Sequence, residues 1–91
     1  MTKMGWYAEM NSCRKGEDYV LSNTPCDTKQ EATAKALEMY RKVQQDYTVA
    51  YYVIGVALYS GQEDPHPVWE YETLYCSDKT RVGDGWSYPR H

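Results

Sequence analysis

The segment TVAYYVIGVALYSG, residues 48–61, most constrains how this chain can fold, because it is the most apolar run in the sequence. It is shorter than the ~18–20 apolar residues that a membrane-spanning helix needs, and its β-branched and aromatic content favours a strand. Since alternate side chains of a strand point to opposite faces, two apolar faces result: Ala50, Tyr52, Ile54, Val56 and Leu58 against Val49, Tyr51, Val53, Ala57 and Tyr59.

A chain of 91 residues has little material to cover both of these faces. A domain of this size buries only about 60–65% of its unfolded surface, which provides one modest core. The sequence therefore raises the question of what covers the second face of this strand.

The clearest helix signal lies at residues 28–46. Thr28 and Glu31 have capping-box spacing, and no Gly or Pro interrupts the segment up to Tyr47. One apolar stripe recurs at helical spacing and comprises Ala32, Ala36, Leu37, Tyr40 and Val43. A single stripe of this kind covers one face of one small sheet.

Three further strands are predicted from alternating patterns. They lie at residues 5–13, at residues 18–23 ending before Pro25, and at residues 68–76. The first places Trp6, Ala8 and Met10 opposite Tyr7, Glu9 and Asn11, and the last places Trp69, Tyr71, Thr73 and Tyr75 opposite Val68, Glu70, Glu72 and Leu74.

The order β-β-α-β-β predicts a single α+β domain over residues 1–91. We expect a four-stranded, mainly antiparallel sheet with one helix packed on one face, because two hairpins flank the helix. Residues 77–91 are predicted to form a flexible tail, in which Trp86 and Tyr88 are candidates for docking back onto the sheet.

Charge and cysteine usage narrow the class of protein. The net charge is −3, which argues against non-specific nucleic-acid binding, because such binding needs a basic face. The three cysteines, Cys13, Cys26 and Cys76, have no zinc-like or disulfide-framework spacing. With no signal-peptide pattern and no membrane span, the sequence predicts a cytoplasmic protein with reduced thiols.

No residue pattern indicates catalysis, a metal or a cofactor. The candidate acid–base groups are His66, close to Glu63 and Asp64 in a proline-flanked loop, and the carboxylate pair Glu70 and Glu72, which would need a cleft to act. A single histidine in such a loop is usually solvated, and the three cysteines could reach it only through the fold. We therefore predict a protein that is not an enzyme and binds no cofactor.

Aromatic residues supply the candidate site. The chain has ten Tyr, three Trp and no Phe, a composition that suits half-buried surfaces and interfaces. The predicted partner-binding residues are Tyr51, Tyr59, Trp69, Glu70, Tyr71, Glu72 and Tyr75. The rings would contact a protein partner, for which Tyr and Trp are common hot-spot residues, and the two glutamates would meet a basic patch on it.

Three alternatives stay open for this surface. A homodimer would cover it with a second copy, or the tail would cover it through Trp86 and Tyr88. A small-molecule or nucleotide binder would use an aromatic pocket at a homodimer interface. A nucleic-acid platform is disfavoured, because the third and fourth strands contain no Lys or Arg among their rings.

The segments GWYAEMNSC, TKQEATAKALEMYRKV, AYYVIGVALY and VWEYETLYC give the chain a general resemblance to small accessory proteins of bacteriophages and mobile elements. Anti-CRISPR and other anti-defence inhibitors are among these proteins. The resemblance implies a small acidic inhibitor that occludes a surface of a host protein complex. It assigns no individual site residue.

Overall fold

The computed structural model describes residues 4–60, 68–78, 82–83 and 85–87. The strands and the helix are β1 (Met4–Arg14), β2 (Tyr19–Cys26), α1 (Lys29–Gln44), β3 (Val49–Ser60), β4 (Val68–Cys76) and β5 (Gly85–Ser87). The strands form one sheet in the order β2-β1-β3-β4-β5, and every neighbouring pair is antiparallel. The predicted α+β fold with β-β-α-β-β order is confirmed, and β5 adds a short outer strand within the segment predicted as a tail.

Helix α1 begins where the capping box predicts. The Glu31 N–H donates to Thr28 Oγ1 at 3.1 Å, and the Glu31 carboxylate accepts the Asp27 N–H at 3.0 Å. The first bond satisfies a backbone donor that the first turn of a helix leaves without a partner, and the second binds the residue that precedes the N-cap Thr28. After the helix, Asp46 accepts the Thr48 N–H at 3.0 Å, and this turn starts β3.

The core lies between α1 and the central strands β1 and β3. Ala8, Ala32 and Ala36 are fully buried, so small side chains on both sides allow the helix to approach the sheet closely. Ile54 and Val56 supply the largest fully buried side chains. The predicted helix stripe is confirmed for Ala32, Ala36, Tyr40 and Val43, and the predicted even-numbered face of β3 for Tyr52, Ile54 and Val56. The prediction is wrong for the start of β3, where Ala50 is exposed and Val49 packs against the core, because β3 carries an extra residue between Val49 and Tyr51.

The prediction that Pro25 ends the second strand is wrong, since β2 runs on to Cys26 with Pro25 paired to Tyr7. A proline is tolerated in an edge strand when its nitrogen faces away from the neighbouring strand. β2 is such an edge, because only β1 pairs with it.

A β-bulge in β4 makes the predicted faces of that strand partly wrong. Ile54 pairs with Tyr75 but the next residue, Gly55, pairs with Thr73, so β4 carries one extra residue at this point. Tyr75 consequently lies on the helix side, where its ring stacks on Tyr40 with centroids 4.2 Å apart. Tyr71, which lies opposite Ala57, stays on the other side of the sheet.

The part of the chain that the structure describes contains no helix that is both long enough and apolar enough to cross a membrane.

Candidate binding face

The side of the sheet opposite α1 is the candidate site, and we call it the open face. The described helix packs on the other side, and β5 extends the sheet at the edge of β4. No described element therefore covers the second face of β3. The side chain of Trp86 and the whole of Tyr88, which the sequence suggested as a cover, lie outside the described residues. The open face includes residues from four strands: Tyr7, Glu9, Asn11, Tyr19, Leu21, Asn23, Tyr51, Val53, Ala57, Tyr59, Tyr71 and Thr73.

Two aromatic pairs organise the open face. Tyr7 and Tyr59 meet edge to face with centroids 5.2 Å apart, and Tyr19 and Tyr51 do so at 5.8 Å. This is the preferred geometry for aromatic rings, and such a pair contributes about 0.5–1.5 kcal/mol beyond the area that it buries. The rings are thus held in defined orientations before any partner binds.

An open depression of about 330 Å³ lies between these rings. Tyr19, Tyr51 and Tyr71 form its aromatic walls, and the remaining lining residues are Asn11, Val53 and Thr73. None of these six side chains carries a charge at neutral pH. The depression therefore suits an uncharged, partly apolar group.

Glu9 is the one acidic side chain of the open face, and it is 6% exposed. The Tyr59 hydroxyl donates to its carboxylate, and the Asn23 amide donates to the same oxygen at 3.2 Å. Burial raises the pKa of Glu9, although the hydrogen bond from Tyr59 acts in the opposite direction. Burial and the neighbouring Glu9 also raise the pKa of the Tyr59 hydroxyl.

No lysine or arginine forms a salt bridge with Glu9 within the described ranges. A buried carboxylate without a cation is stabilised in its neutral form. Its raised pKa means that folding favours the protonated acid, so its favourable contribution is complete below the unfolded pKa and is lost as the pH rises through the folded pKa.

We therefore expect Glu9→Gln to flatten the pH dependence of stability above the ordinary glutamate pKa of 4.5. The amide oxygen can still accept from Tyr59, while no charge has to be buried. The variant should resemble the wild type at pH 4 and gain in relative stability as the pH rises to 8. Urea unfolding across this range measures the difference.

The control is Glu17→Gln, which removes an exposed carboxylate from the β1–β2 turn. It should leave the shape of the pH profile unchanged. Parallel profiles for the wild type and Glu9→Gln would contradict the assignment of a buried acid to the open face.

The seven predicted partner-binding residues are divided between the two sides of the sheet. Tyr51, Tyr59 and Tyr71 lie on the open face. Tyr75 lies under the helix, stacked on Tyr40. The side chain of Trp69 lies outside the part of the chain described here.

Glu70 and Glu72 lie on the helix side, where both approach the same lysine. Lys29 Nζ is 3.4 Å from a carboxylate oxygen of each, and it also lies 5.6 Å from the ring centroid of Trp6. Burial acts to lower the pKa of Lys29, but the hydrogen bonds and charges of the two glutamates outweigh it and raise that pKa. These glutamates connect the start of α1 to β4.

Several open-face residues were missing from the predicted site. Among them are Tyr7, Glu9, Asn11 and Tyr19. The alternation in the first strand already placed the first three opposite Trp6, so the signal was present in the sequence. The sequence pattern does not give the strand order, and it is this order that brings β1 and β2 beside the rings of β3.

The described residues contain no group of three His, Cys, Asp or Glu side chains arranged to hold a metal ion. Cys13, Cys26 and Cys76 are unpaired thiols, and burial raises the pKa of Cys26. The candidate acid–base residue His66 lies outside the described ranges, as does His91.

No family model matches this chain. Comparison with curated proteins and with solved structures likewise found no similar protein. The resemblance to phage accessory proteins stays a prediction, and the function has to be inferred from the open face itself.

Proposed function

We propose that this protein is a non-enzymatic protein-binding module that contacts its partner through the open face. One observation carries the proposal: a tyrosine-rich sheet face, with its rings already oriented, that no described element covers. Tyr19 is exposed and the other described tyrosines of the face are half-buried, and contiguous accessible aromatic surface of this kind is typical of interaction sites. Tyrosine contributes a large contact area at little entropic cost and retains a hydroxyl for hydrogen bonding.

The chemistry of the face favours a protein over a nucleic acid. Its described members include one acid, Glu9, and no lysine or arginine. A base-stacking sheet normally combines its rings with cations that neutralise phosphates. Protein partners need no such cations.

A rigid face on a small domain is well suited to inhibition by occlusion. In this form of the proposal the partner is a host protein complex, and the bound module blocks the surface on which that complex acts. The proposal requires no catalytic group in the module, because coverage of the partner's surface is sufficient.

We expect the double variant Tyr51→Ala/Tyr71→Ala to lose a partner that the wild type retains. Each protein is immobilised, exposed to the same host lysate, and the captured proteins are quantified by mass spectrometry. Truncation of central interface tyrosines typically costs about 2 kcal/mol or more each. Capture of a true partner should therefore fall at least tenfold.

Tyr47→Ala is the matched control, because Tyr47 is 95% exposed in the turn after α1, on a different part of the surface. It should capture the same proteins as the wild type. If the folded double variant also captured them all, the open face would not be the binding site.

A second candidate function follows from the depression of about 330 Å³ between Tyr19, Tyr51 and Tyr71. This volume is at the lower end of ligand pockets, which usually span about 300–1,000 Å³. Its uncharged lining favours a flat neutral metabolite over a nucleotide, whose phosphates need cations. A thermal shift with such a compound that is abolished by Tyr51→Ala would support this alternative.

A further inference from the structure

The outer strand β2 presents an unusual edge. Its eight residues, YVLSNTPC, include no charged side chain. Three successive apolar residues are exposed on it: Tyr19 by 65%, Val20 by 45% and Leu21 by 57%. Natural edge strands usually carry lysine, inward charges, bulges or a covering element that prevents pairing. β2 pairs with β1 in an unbroken register and, among described residues, has no strand on its other side.

The direction of the β2 backbone groups follows from a hydrogen bond elsewhere in the sheet. The Tyr52 carbonyl accepts the Ser77 N–H at 3.0 Å, so even-numbered residues of β3 direct their backbone groups towards β4. In antiparallel strands these directions alternate from residue to residue. The odd-numbered residues of β3 therefore direct their backbone groups towards β1, and the even-numbered residues of β1 and β2 direct theirs towards each other. As a result, Tyr19, Leu21 and Asn23 of β2 have N–H and C=O groups that point outward.

Pro25 belongs to the same outward set, which agrees with its position in an edge strand. Because Pro25 has a carbonyl but no N–H, a strand that pairs with β2 forms the fewest backbone hydrogen bonds at this end. The fully competent part of the edge is therefore Tyr19–Asn23, and Leu21 is its centre.

This edge is complementary to itself. When a second copy is related by a two-fold axis at Leu21, that residue lies opposite the partner's Leu21, and Tyr19 lies opposite the partner's Asn23. Every outward N–H of these three residues then meets an outward C=O, and Pro25 lies beyond the paired segment. No like charges face each other within β2, because the strand has none. A closed two-fold contact of this type also ends the growth of the sheet.

We propose that β2 is a homodimerisation edge, through which two copies join their sheets into one continuous antiparallel sheet. The two open faces then lie side by side, since Tyr19 and Asn23 point to that side on both copies. This inference is independent of what the open face binds. It differs from a face-to-face dimer, because the open face stays accessible.

Only a few residues of each copy pair, so we expect a weak, reversible dimer, as for other small transient interfaces. Sedimentation equilibrium from 5 to 500 μM tests this directly. The wild-type mass should rise from 10.6 kDa towards twice that value across the series. A mass that stays at the monomer value at 500 μM would overturn the proposal.

Leu21→Lys should hold the protein as a monomer over the same range, because it places two lysines opposite each other at the axis. Leu21 is 57% exposed, so the variant should keep its fold, which circular dichroism and thermal melting verify. Val82→Lys is the matched control, since Val82 is a similarly exposed apolar residue away from β2. It should dimerise like the wild type.

A charge-pairing experiment tests the register. Leu21→Asp alone should also be monomeric, but a one-to-one mixture with Leu21→Lys should associate at least threefold more tightly than either variant by itself. A wild-type dimer that both Leu21→Lys and Val82→Lys leave unchanged would show that the copies meet elsewhere, and would overturn the assignment to β2.

Discussion

Replacing Ile54 with alanine is expected to lower the free energy of unfolding by about 3 kcal/mol, as typical of fully buried isoleucine positions. Ile54 is fully buried between α1 and β3. Its neighbours in the cluster, Ala8, Ala32 and Ala36, are too small to fill the space that the lost atoms leave. For a domain of this size the change corresponds to a decrease in Tm of roughly 15 °C.

Urea unfolding followed by tryptophan fluorescence measures this effect, and Val53→Ala provides the comparison. Val53 is the adjacent residue of the same strand, but it lies on the open face and is half-buried. We expect its truncation to cost about 1 kcal/mol, because water already reaches the site. Equal losses of unfolding free energy at the two positions would show that both faces of β3 are covered to the same extent. The description of the open face as uncovered would then be wrong.

The Gly55→Ala variant is expected to lose about 2–3 kcal/mol, at the upper end of overpacking effects. Gly55 lies at the bulge, where β3 meets the extra residue of β4. A Cβ at this position would overlap the carbonyl oxygen of Glu72 and lie 3.1 Å from its carbonyl carbon. These are backbone atoms, so relief of the clash requires β3 and β4 to separate.

Gly5→Ala is the control for this change. A Cβ on Gly5 would have its nearest neighbour, Tyr7 Cε1, at 3.6 Å, which is ordinary van der Waals contact. Its unfolding free energy should stay within about 0.5 kcal/mol of the wild type. A Gly55→Ala protein as stable as Gly5→Ala would mean that the two strands are not in close contact at the bulge.

Local signals in the sequence were sufficient for most of the fold. The Thr28–Glu31 capping box and the alanine-rich stripe predicted the helix to within two residues at its end, because both act over a few positions. Alternation predicted the two faces of β3 from Tyr51 onward, but it missed the extra residue at Ala50 that places Val49 on the helix side. The apolar length of β3 compared with a single helix stripe also indicated that the helix would cover only one of its two faces.

The remaining features depend on contacts between distant parts of the chain. The bulge that separates Tyr71 from Tyr75 reflects how β4 pairs with Gly55, and alternation within β4 carries no trace of it. Alternation in β1 places Glu9 on the side opposite Trp6, but it does not show that Glu9 is buried beneath Tyr59, which lies fifty positions later. Glu70 and Glu72 likewise acquire their roles from Lys29, through tertiary packing.

The two sides of the sheet differ in how well they tolerate amino-acid substitutions. On the helix side, Ala8, Ala32 and Ala36 fix the spacing between layers, and any larger residue would push the helix away. On the open face the described tyrosines are half-buried or exposed, so substitutions at these positions would leave the scaffold folded. A protein built in this way can acquire new binding specificities by exchanging surface tyrosines, while its architecture is maintained by a few small residues on the other side.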